Sequence, residues 1–291
     1  SWISASQLAF SDDETRQWLA KTELATPHRL ACELHSQLRG WPAALRIWLN
    51  QGPAASASLV ALQKPLADYL NAEVLSHLNT EVLTFWRQLA VLGRFTNDLL
   101  HACLAESELH DRWQQVLSQD LFVTPLAAQG DWYELHPAVA QVLRQQLSPA
   151  SRQVLHQRAF SWLSQHHEPV AALQHARAAG LTHEVADWVE AEAESILANL
   201  DIAGLLAWFE QAGSELIHAS PRNMQMAAWA WLLTQQQDHA APLLDHLQQC
   251  QLPAAELYAL QGYQARLQGQ MVKAQQLCEQ ALQQLPVQRY S

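Results

Sequence analysis

The stretches Leu121-Phe122-Val123-Thr124-Pro125-Leu126 and Trp132-Tyr133-Glu134-Leu135-His136-Pro137, which five residues separate, decide the fold of the middle of this chain. Both runs are apolar and rich in residues that favour strands, and Gln129-Gly130-Asp131 lies between them, so they predict a β-hairpin. Apolar spacing predicts three short helices before the hairpin and one after it, over residues 81–92, 97–106, 111–119 and 137–147. Three helices and a hairpin in so short a segment predict a winged helix; the alternative is a buried loop between helices.

Upstream of this segment, the sequence predicts a small helical bundle over residues 1–80. Apolar residues recur at helical spacing between residues 26 and 49, interrupted by Gly40-Trp41-Pro42. Glycine commonly ends a helix and proline commonly begins one, so this tripeptide predicts a tight joint between two helices. A loop rich in Gly, Pro, Ala and Ser over 51–58 leads to a further predicted helix over 65–78.

Downstream, the pattern is a succession of helices with short breaks. The predicted helices cover residues 151–166, 169–179, 183–198, 202–212, 222–236, 239–250, 254–268 and 271–285. Their last four repeat with a period of 34 residues, since Ala228 aligns with Gly262 and Ala240 with Ala274, and 34 is the tetratricopeptide period. The last unit matches that repeat's pattern at Tyr258, Gly262, Ala274, Ala281 and Pro286, and departs from it at Gln261, Ala265 and Cys278.

These patterns together predict a mainly all-α protein. It should consist of a helical bundle, a winged helix with a small β-hairpin, and a tetratricopeptide-like α-superhelix. The Trp and Tyr residues of the repeats fill a core by default; the alternative is that some of them line a groove for a ligand or partner. The candidates for that groove are Trp229, Trp231, Tyr258 and Tyr263.

Composition excludes several functions for the 291-residue chain. The net charge is −11 and only three lysines occur, so no basic face is available for direct DNA binding. The four cysteines are far apart, which favours reduced thiols in the cytoplasm. No apolar run approaches the roughly 18 residues of a membrane span. The chain begins without Met and stops within the repeat pattern, so we expect it to be part of a longer protein.

The sequence carries no enzyme motif. The phosphate-binding patterns G-x-x-x-x-G-K-[ST] and G-x-G-x-x-G are missing, as is G-x-S-x-G, so we expect no catalysis and no complete nucleotide site. His183-Glu184-Val185-Ala186-Asp187 falls one residue short of the zinc motif H-E-x-x-H, and we interpret it as a solvated helix face rather than a metal site.

Three stretches together resemble the MalT-like transcriptional activators, bacterial regulators of the signal-transduction ATPase class that end in a LuxR-type helix-turn-helix. The first is the run from Leu38 to Arg46 around Gly40-Trp41-Pro42, and the second joins residues 69–75 to 85–96. The third joins the two hairpin strands to His136-Pro137 and Leu143-Arg144. The similarity continues into the repeats at residues 155–159 and 172–176.

This resemblance implies a division into a helical lid of a nucleotide switch (1–80), a winged-helix domain (81–148) and a sensor made of repeats (149–291). It implies that Pro42 packs on the adenine of bound ADP, that Gly40 forms the helix joint, and that His136 reaches the β-phosphate. Leu135-His136-Pro137 resembles the Met-His-Asp motif of the related resistance and apoptosis switch proteins, and Pro137 departs from the Asp of that motif. Reasoning from position alone, His136 could instead be a capping residue where a strand meets a helix.

The resemblance also implies partners outside the chain. The P-loop ATPase core would lie upstream and the DNA-binding helices downstream, so ATP or ADP, promoter DNA and self-association belong to the full-length protein. An inducer or a regulatory protein would bind the repeats, with no role for a membrane. The alternative is a stand-alone helical scaffold that docks a partner's helix or tail, without any nucleotide.

Overall fold

The structure is a computed structural model that describes residues 8–22, 28–51, 62–104, 109–118, 122–126, 130–192, 195–196, 202–250 and 252–284. The predicted mainly helical fold with a small sheet is confirmed. The chain forms two compact units, residues 1–159 and residues 160–291. Most of the predicted 51–58 loop, and Leu121, Gln129 and Pro286 of the predicted motifs, lie outside the described residues.

In the first unit, helices come before, between and after the strands of a small sheet along the chain. Its elements are α1 (Asp12–Ala20), α2 (His28–Leu38), α3 (Pro42–Leu49), α4 (Gln63–Glu73), a 3-10 turn (Leu75–His77), α5 (Thr80–Leu92), β1 (Arg94–Phe95), α6 (Asn97–Cys103), α7 (Leu109–Ser118), β2 (Val123–Pro125), β3 (Tyr133–Leu135), α8 (Pro137–Arg144) and α9 (Pro149–Leu163). Helix α9 crosses the boundary to the second unit.

Side-chain caps fix where several of these helices begin. Ser11 and Glu14 form a capping box at α1, in which the hydroxyl accepts from the Glu14 N–H at 3.2 Å and the carboxylate accepts from the Ser11 N–H at 2.8 Å. The Asn79 side chain caps α5 at 2.8 Å, and Gly93 ends that helix with a φ of +72°. These caps place α5 directly before the sheet.

The sheet has three antiparallel strands in the order β1-β3-β2. The predicted hairpin is the β2–β3 pair, with Val123 opposite Leu135 and Pro125 opposite Tyr133. Strand β1 is an addition that the sequence did not predict, because two residues are too few to show an alternating pattern. As the central strand, β3 is hydrogen-bonded on both sides.

The core of the first unit lies around the contact of α5 with α8. Its largest fully buried side chains are aromatic and include Trp48, Phe85, Trp86 and Phe95. Helices α2 and α4 also pack against α8, so the predicted lid helices rest directly on the winged helix. Burying four large aromatic side chains stabilises this unit strongly, since each removes a large apolar area from water.

The second unit is built of helices in the described residues. They are α10 (Pro169–Ala179), α11 (Ala186–Ala191), α12 (Ile202–Ala212), α13 (Ser214–Ile217), α14 (Pro221–Leu233), α15 (Gln237–Leu247), α16 (Ala254–Leu267) and α17 (Met271–Gln284). Helix α14 pairs with α15 and α16 pairs with α17, and α14 also packs against α16. This is the antiparallel hairpin arrangement that the 34-residue period predicts.

Small residues allow the two helices of each hairpin to approach closely. A Cβ placed on Gly262 would lie 3.0 Å from Cys278 Sγ and 3.4 Å from the carbonyl oxygen of Ala274. Ala228, Ala240 and Ala274 are all buried. The period therefore reflects a packing requirement that recurs in each hairpin.

The predicted helix start at residue 183 is wrong. Residues 181–185 form turns and α11 begins at Ala186, because Gly180 ends α10 in the left-handed conformation. His183 and Glu184 thus lie outside the helix, and no group of three His, Cys, Asp or Glu that could hold a metal occurs in the part of the chain that the structure describes. Within those same ranges no helix is both long and apolar enough to cross a membrane.

Candidate functional site

The joint between α2 and α3 is built around Gly40. Arg39 and Gly40 have φ values of +46° and +71°, so two consecutive left-handed residues reverse the chain. The Phe10 N–H donates to the Gly40 carbonyl at 2.9 Å, and a Cβ on Gly40 would lie 1.8 Å from the Phe10 carbonyl oxygen. Gly40 is buried, whereas Pro42, the first residue of α3, is half-buried. The geometry therefore requires glycine at the joint and leaves part of the proline ring accessible.

His136 contacts this joint from the winged helix. Its Nε2 lies 3.0 Å from the carbonyl oxygen of Leu38, the last residue of α2. The Trp41 N–H donates to the same oxygen at 2.8 Å. The last carbonyls of a helix have no partner within the helix, so His136 helps to satisfy the C-terminus of α2. His136 is the N-cap residue of α8, where β3 meets that helix, but its side chain makes no capping hydrogen bond there.

The protonation state of His136 follows from its surroundings. The pKa of His136 is lowered to about 4, mainly by burial and also by Arg39, although the hydrogen bond to Leu38 and the charge of Glu134 act in the opposite direction. The imidazole is therefore neutral near pH 7. A carbonyl can only accept, so Nε2 carries the hydrogen and Nδ1 is a bare acceptor. Nδ1 is buried and has no hydrogen-bond partner among the described residues.

An aromatic cluster surrounds this imidazole. The Trp41 ring is 5.6 Å from the ring of His136, 5.0 Å from that of Phe122 and 6.1 Å from that of Tyr69, between centroids. Phe122 has a φ of +61°, and its carbonyl accepts from the His136 N–H at 2.6 Å. The contacts of Trp41 with Phe122 and His136 are edge-to-face and that with Tyr69 is tilted, and together they stabilise the position of Trp41 beside the hairpin.

An ion pair between Arg39 and Glu134 joins the same two segments. A cavity of about 20 Å³ lies next to Leu38 and is lined mainly by glutamine and aliphatic side chains. That volume is room for one water and is far too small for a nucleotide. A nucleotide held here would need further walls from outside these helices.

The four aromatic groove candidates of the repeats divide between two sides. Trp229 and Tyr263 contact each other with ring centroids 5.7 Å apart, and the Arg266 guanidinium lies 4.4 Å from the Tyr263 ring centroid. Trp231 instead faces His239 on α15, at 5.7 Å between centroids. Residues two apart on a helix lie on roughly opposite sides, so a single groove cannot include both tryptophans. Tyr258 is half-buried on α16.

The side of α14 that carries Trp229 also carries the charged residue Arg222. Arg222 Nη1 lies 3.6 Å from Glu256 Oε2, and Arg222 and Glu256, like Trp229 and Tyr263, are 34 residues apart. An open cavity of about 470 Å³ adjoins Arg222 and is also lined by Asp187, Glu190 and Ala191. The Ser220 hydroxyl donates to Glu190 at 2.9 Å. This side of α14 thus combines aromatic, cationic and acidic groups.

Several residues of both sites were not found from the sequence. Arg39, Trp41 and Glu134 are adjacent to predicted site residues, but no local pattern shows that they meet across the joint. The carbonyl of Leu38 belongs to the backbone, so no side-chain motif can reveal it. Arg222 and Glu256 could have been found by applying the 34-residue period to charged positions as well as to small ones.

Known proteins are similar to this chain in sequence, both over the winged helix and beyond it. Residues 71–155 match the family described as the MalT winged helix domain. The chain is 25% identical to the HTH-type transcriptional regulator MalT of Serratia proteamaculans, over 99% of this chain and 34% of the relative. It is 24% identical to the MalT regulator of Yersinia enterocolitica, over 98% of this chain and 34% of the relative. It is 26% identical to the MalT regulator of Cronobacter sakazakii, over 78% of this chain and 26% of the relative.

Among solved structures, one similar chain is a signal-transduction ATPase with numerous domains and a tetratricopeptide repeat sensor from Pyrococcus horikoshii. It is 14% identical, with a TM-score of 0.46, over 95% of this chain and 42% of that chain. The sequence relatives are HTH-type transcriptional regulators, and residues 71–155 of this chain are similar to the MalT winged helix domain. The resemblance of this chain to MalT is confirmed along nearly its whole length, and the chain spans about a third of the length of the curated relatives it matches.

Proposed function

We propose that this chain is the regulatory part of a MalT-like transcriptional activator, in which binding on the repeats is coupled to an ADP/ATP switch. Residues 1–80 act as the lid, 81–148 as the winged helix and 149–291 as the sensor. The chain catalyses nothing itself, and an ATPase core and DNA-binding helices belong to other parts of the same cytoplasmic protein. The proposal is supported by the contact of His136 with Leu38, which brings the winged-helix histidine to the end of α2, two residues before Gly40 and four before Pro42.

The residues at the joint suit a nucleotide in different ways. Pro42 offers an accessible apolar ring that can pack on an adenine, and Gly40 allows the reversal that presents it. His136 is neutral and has a single N–H, which Leu38 accepts in this structure. A phosphate oxygen is also only an acceptor, so as long as its imidazole stays neutral His136 can donate to the phosphate only by giving up Leu38. The phosphate and the Leu38 carbonyl therefore compete for the single N–H of the neutral His136 imidazole.

That competition supplies a mechanism of regulation. His136 can bond either to the lid or to the nucleotide, so nucleotide binding changes the balance between a form with the lid contact and a form without it. Such a difference between two forms is required for one binding site to influence another. In this proposal ADP holds a closed form, and an inducer or regulatory protein on the repeats favours an ATP-bound form that self-associates on promoter DNA. The side of α14 that carries Arg222 and Trp229, with its adjoining cavity, is the candidate sensor surface.

The experiment is calorimetry with ADP on the complete protein and on this chain alone. The complete protein should bind ADP in the micromolar range or tighter, whereas this chain, which has only the lid side of a pocket, should bind no tighter than roughly millimolar. Failure of the complete protein to bind ADP contradicts the switch and favours the stand-alone scaffold. Micromolar binding by the chain alone contradicts the division of the site between parts of the protein.

A further inference from the structure

Arg39 and Glu134 are not among the residues proposed to touch the nucleotide, but each is close in the sequence to one of the segments that contain those residues. Arg39 lies between Leu38 and Gly40, and Glu134 lies two residues before His136. Their side chains form an ion pair although they are 95 positions apart. The pair therefore joins the same two segments that the His136–Leu38 hydrogen bond joins.

The sheet gives Glu134 a fixed position. It lies on the central strand β3, with Arg94 opposite it on β1 and Thr124 opposite it on β2. Successive residues of a strand project to opposite sides, so Glu134 projects away from the core that Leu135, only 1% exposed, enters, and His136 follows two residues after Glu134. The ion pair between Arg39 on the lid and Glu134 therefore also constrains the position of the lid relative to His136.

The backbone at this contact is under strain on both sides. Arg39 has a φ of +46° on the lid and Phe122 has a φ of +61° on the hairpin, and neither is glycine. Such conformations persist only where the surroundings impose them. The Arg39 N–H donates to the His35 carbonyl at 2.6 Å, and its guanidinium pairs with Glu134. The ion pair is one of the contacts that keep the joint in this conformation.

We propose that Arg39 and Glu134 are positioning residues of the nucleotide contact, which hold the Gly40-Trp41-Pro42 joint where Pro42 and His136 act on one ligand. This inference rests on the proposed function of the chain. The two side chains are 38% and 18% exposed. Ion pairs with this exposure contribute little to the stability of the fold, so their effect is expected on the geometry of the site rather than on unfolding.

The test measures the release of a fluorescent ADP analogue from the complete protein by stopped flow. Glu134→Gln should speed release by roughly three- to tenfold, the range for residues that influence a site without touching its ligand. Glu134→Arg should speed it further by repulsion from Arg39. The exchanged pair Arg39→Glu with Glu134→Arg should return release to within about twofold of the parent, because the attraction is restored. The thermal midpoint of Glu134→Gln should stay close to that of the parent.

Two control variants isolate the pair. Arg94→Gln removes the cation across from Glu134 on β1, whose guanidinium packs over Trp132, and should leave release unchanged. Glu81→Gln breaks the Arg112–Glu81 ion pair elsewhere in the same unit and should also leave it unchanged. Unchanged release in both Glu134 variants, or no recovery in the exchanged pair, would overturn the positioning role while ADP binding by the parent upholds the proposed function. A parent that binds no ADP would overturn both.

Discussion

His136 Nε2 lies 3.0 Å from the carbonyl oxygen of Leu38, which is 98 residues earlier in the chain. The bond connects the first residue after β3 to the last residue of α2. It also uses the only hydrogen that a neutral imidazole can donate. The protonation and the bonding of this side chain are therefore coupled to the contact between helix α2 and the winged helix.

Acid should weaken the first unit through its half-buried histidines. Burial lowers the pKa values of His136 and His156 to about 4, and Arg144 and Arg152 add to the effect at His156. In the unfolded chain histidine titrates near 6.5, so the unfolded state gains protons first and stability falls as the pH drops from about 6.5 to 4. With allowance for partial exposure, we expect about 1 kcal/mol lost per histidine between pH 7 and 5.

The thermal midpoint measured from pH 7 to pH 5 checks this expectation. His136→Gln and His156→Gln should each reduce the slope, because the group that gains a proton on unfolding is gone. His101→Gln, which changes an exposed histidine on α6, is the matched control and should keep the slope of the parent. Identical slopes in all four proteins would contradict the account of the buried imidazoles.

Gly40→Ala should destabilise the first unit much more than Gly93→Ala. Both glycines have a φ near +71°, but a Cβ on Gly40 meets the Phe10 backbone at 1.8 Å and a Cβ on Gly93 meets nothing within 4 Å. The left-handed conformation alone costs about 1–2 kcal/mol, which is the expected loss for Gly93→Ala, and the displaced Phe10 segment should bring Gly40→Ala to about 3–4 kcal/mol. Urea unfolding gives both values. Equal losses would show that Phe10 does not pack against the joint.

Gly262→Ala tests the close approach of α16 and α17 in the repeats. The new Cβ would lie 3.0 Å from Cys278 Sγ, while alanine gains about 1 kcal/mol over glycine from helix propensity. In the parent we expect the crowding to cancel that gain or exceed it. In a Cys278→Ala background the sulfur is removed, so the same change should stabilise by about 0.5–1 kcal/mol. The same effect in both backgrounds would contradict the contact.

Local signals predicted the regular part of this fold well. The predicted bounds 169–179 and 202–212 agree with α10 and α12, since Pro169 begins α10 and Gly180 ends it. The hairpin was predicted because both its strands are apolar runs with glycine between them. Strand β1 and helix α1 were not predicted, because one has two residues and the other is short, polar and rich in acidic residues.

The candidate site was only partly predictable for a different reason. Gly40, Pro42 and His136 stand in motifs that a resemblance can transfer, and the structure brings them to one joint. The hydrogen bond to Leu38 and the Arg39–Glu134 pair depend on how α2 packs against α8 and the sheet. Sequence spacing contains no information on such distant contacts. In the repeats, by contrast, the predicted helix over residues 222–236 is enough to separate Trp229 from Trp231, because residues two apart on a helix lie on roughly opposite sides.

The most direct test of the central claim is the ADP affinity of the complete protein with and without His136→Ala, measured together with the thermal midpoint. If His136 donates to a phosphate, losing a hydrogen bond to a charged group costs about 1.5–3 kcal/mol, which is roughly ten- to hundredfold in ADP affinity. Basal activity without inducer should rise accordingly. A protein with a lower thermal midpoint that still binds ADP as tightly as the parent would contradict the claim, because His136 would then serve only the contact with Leu38.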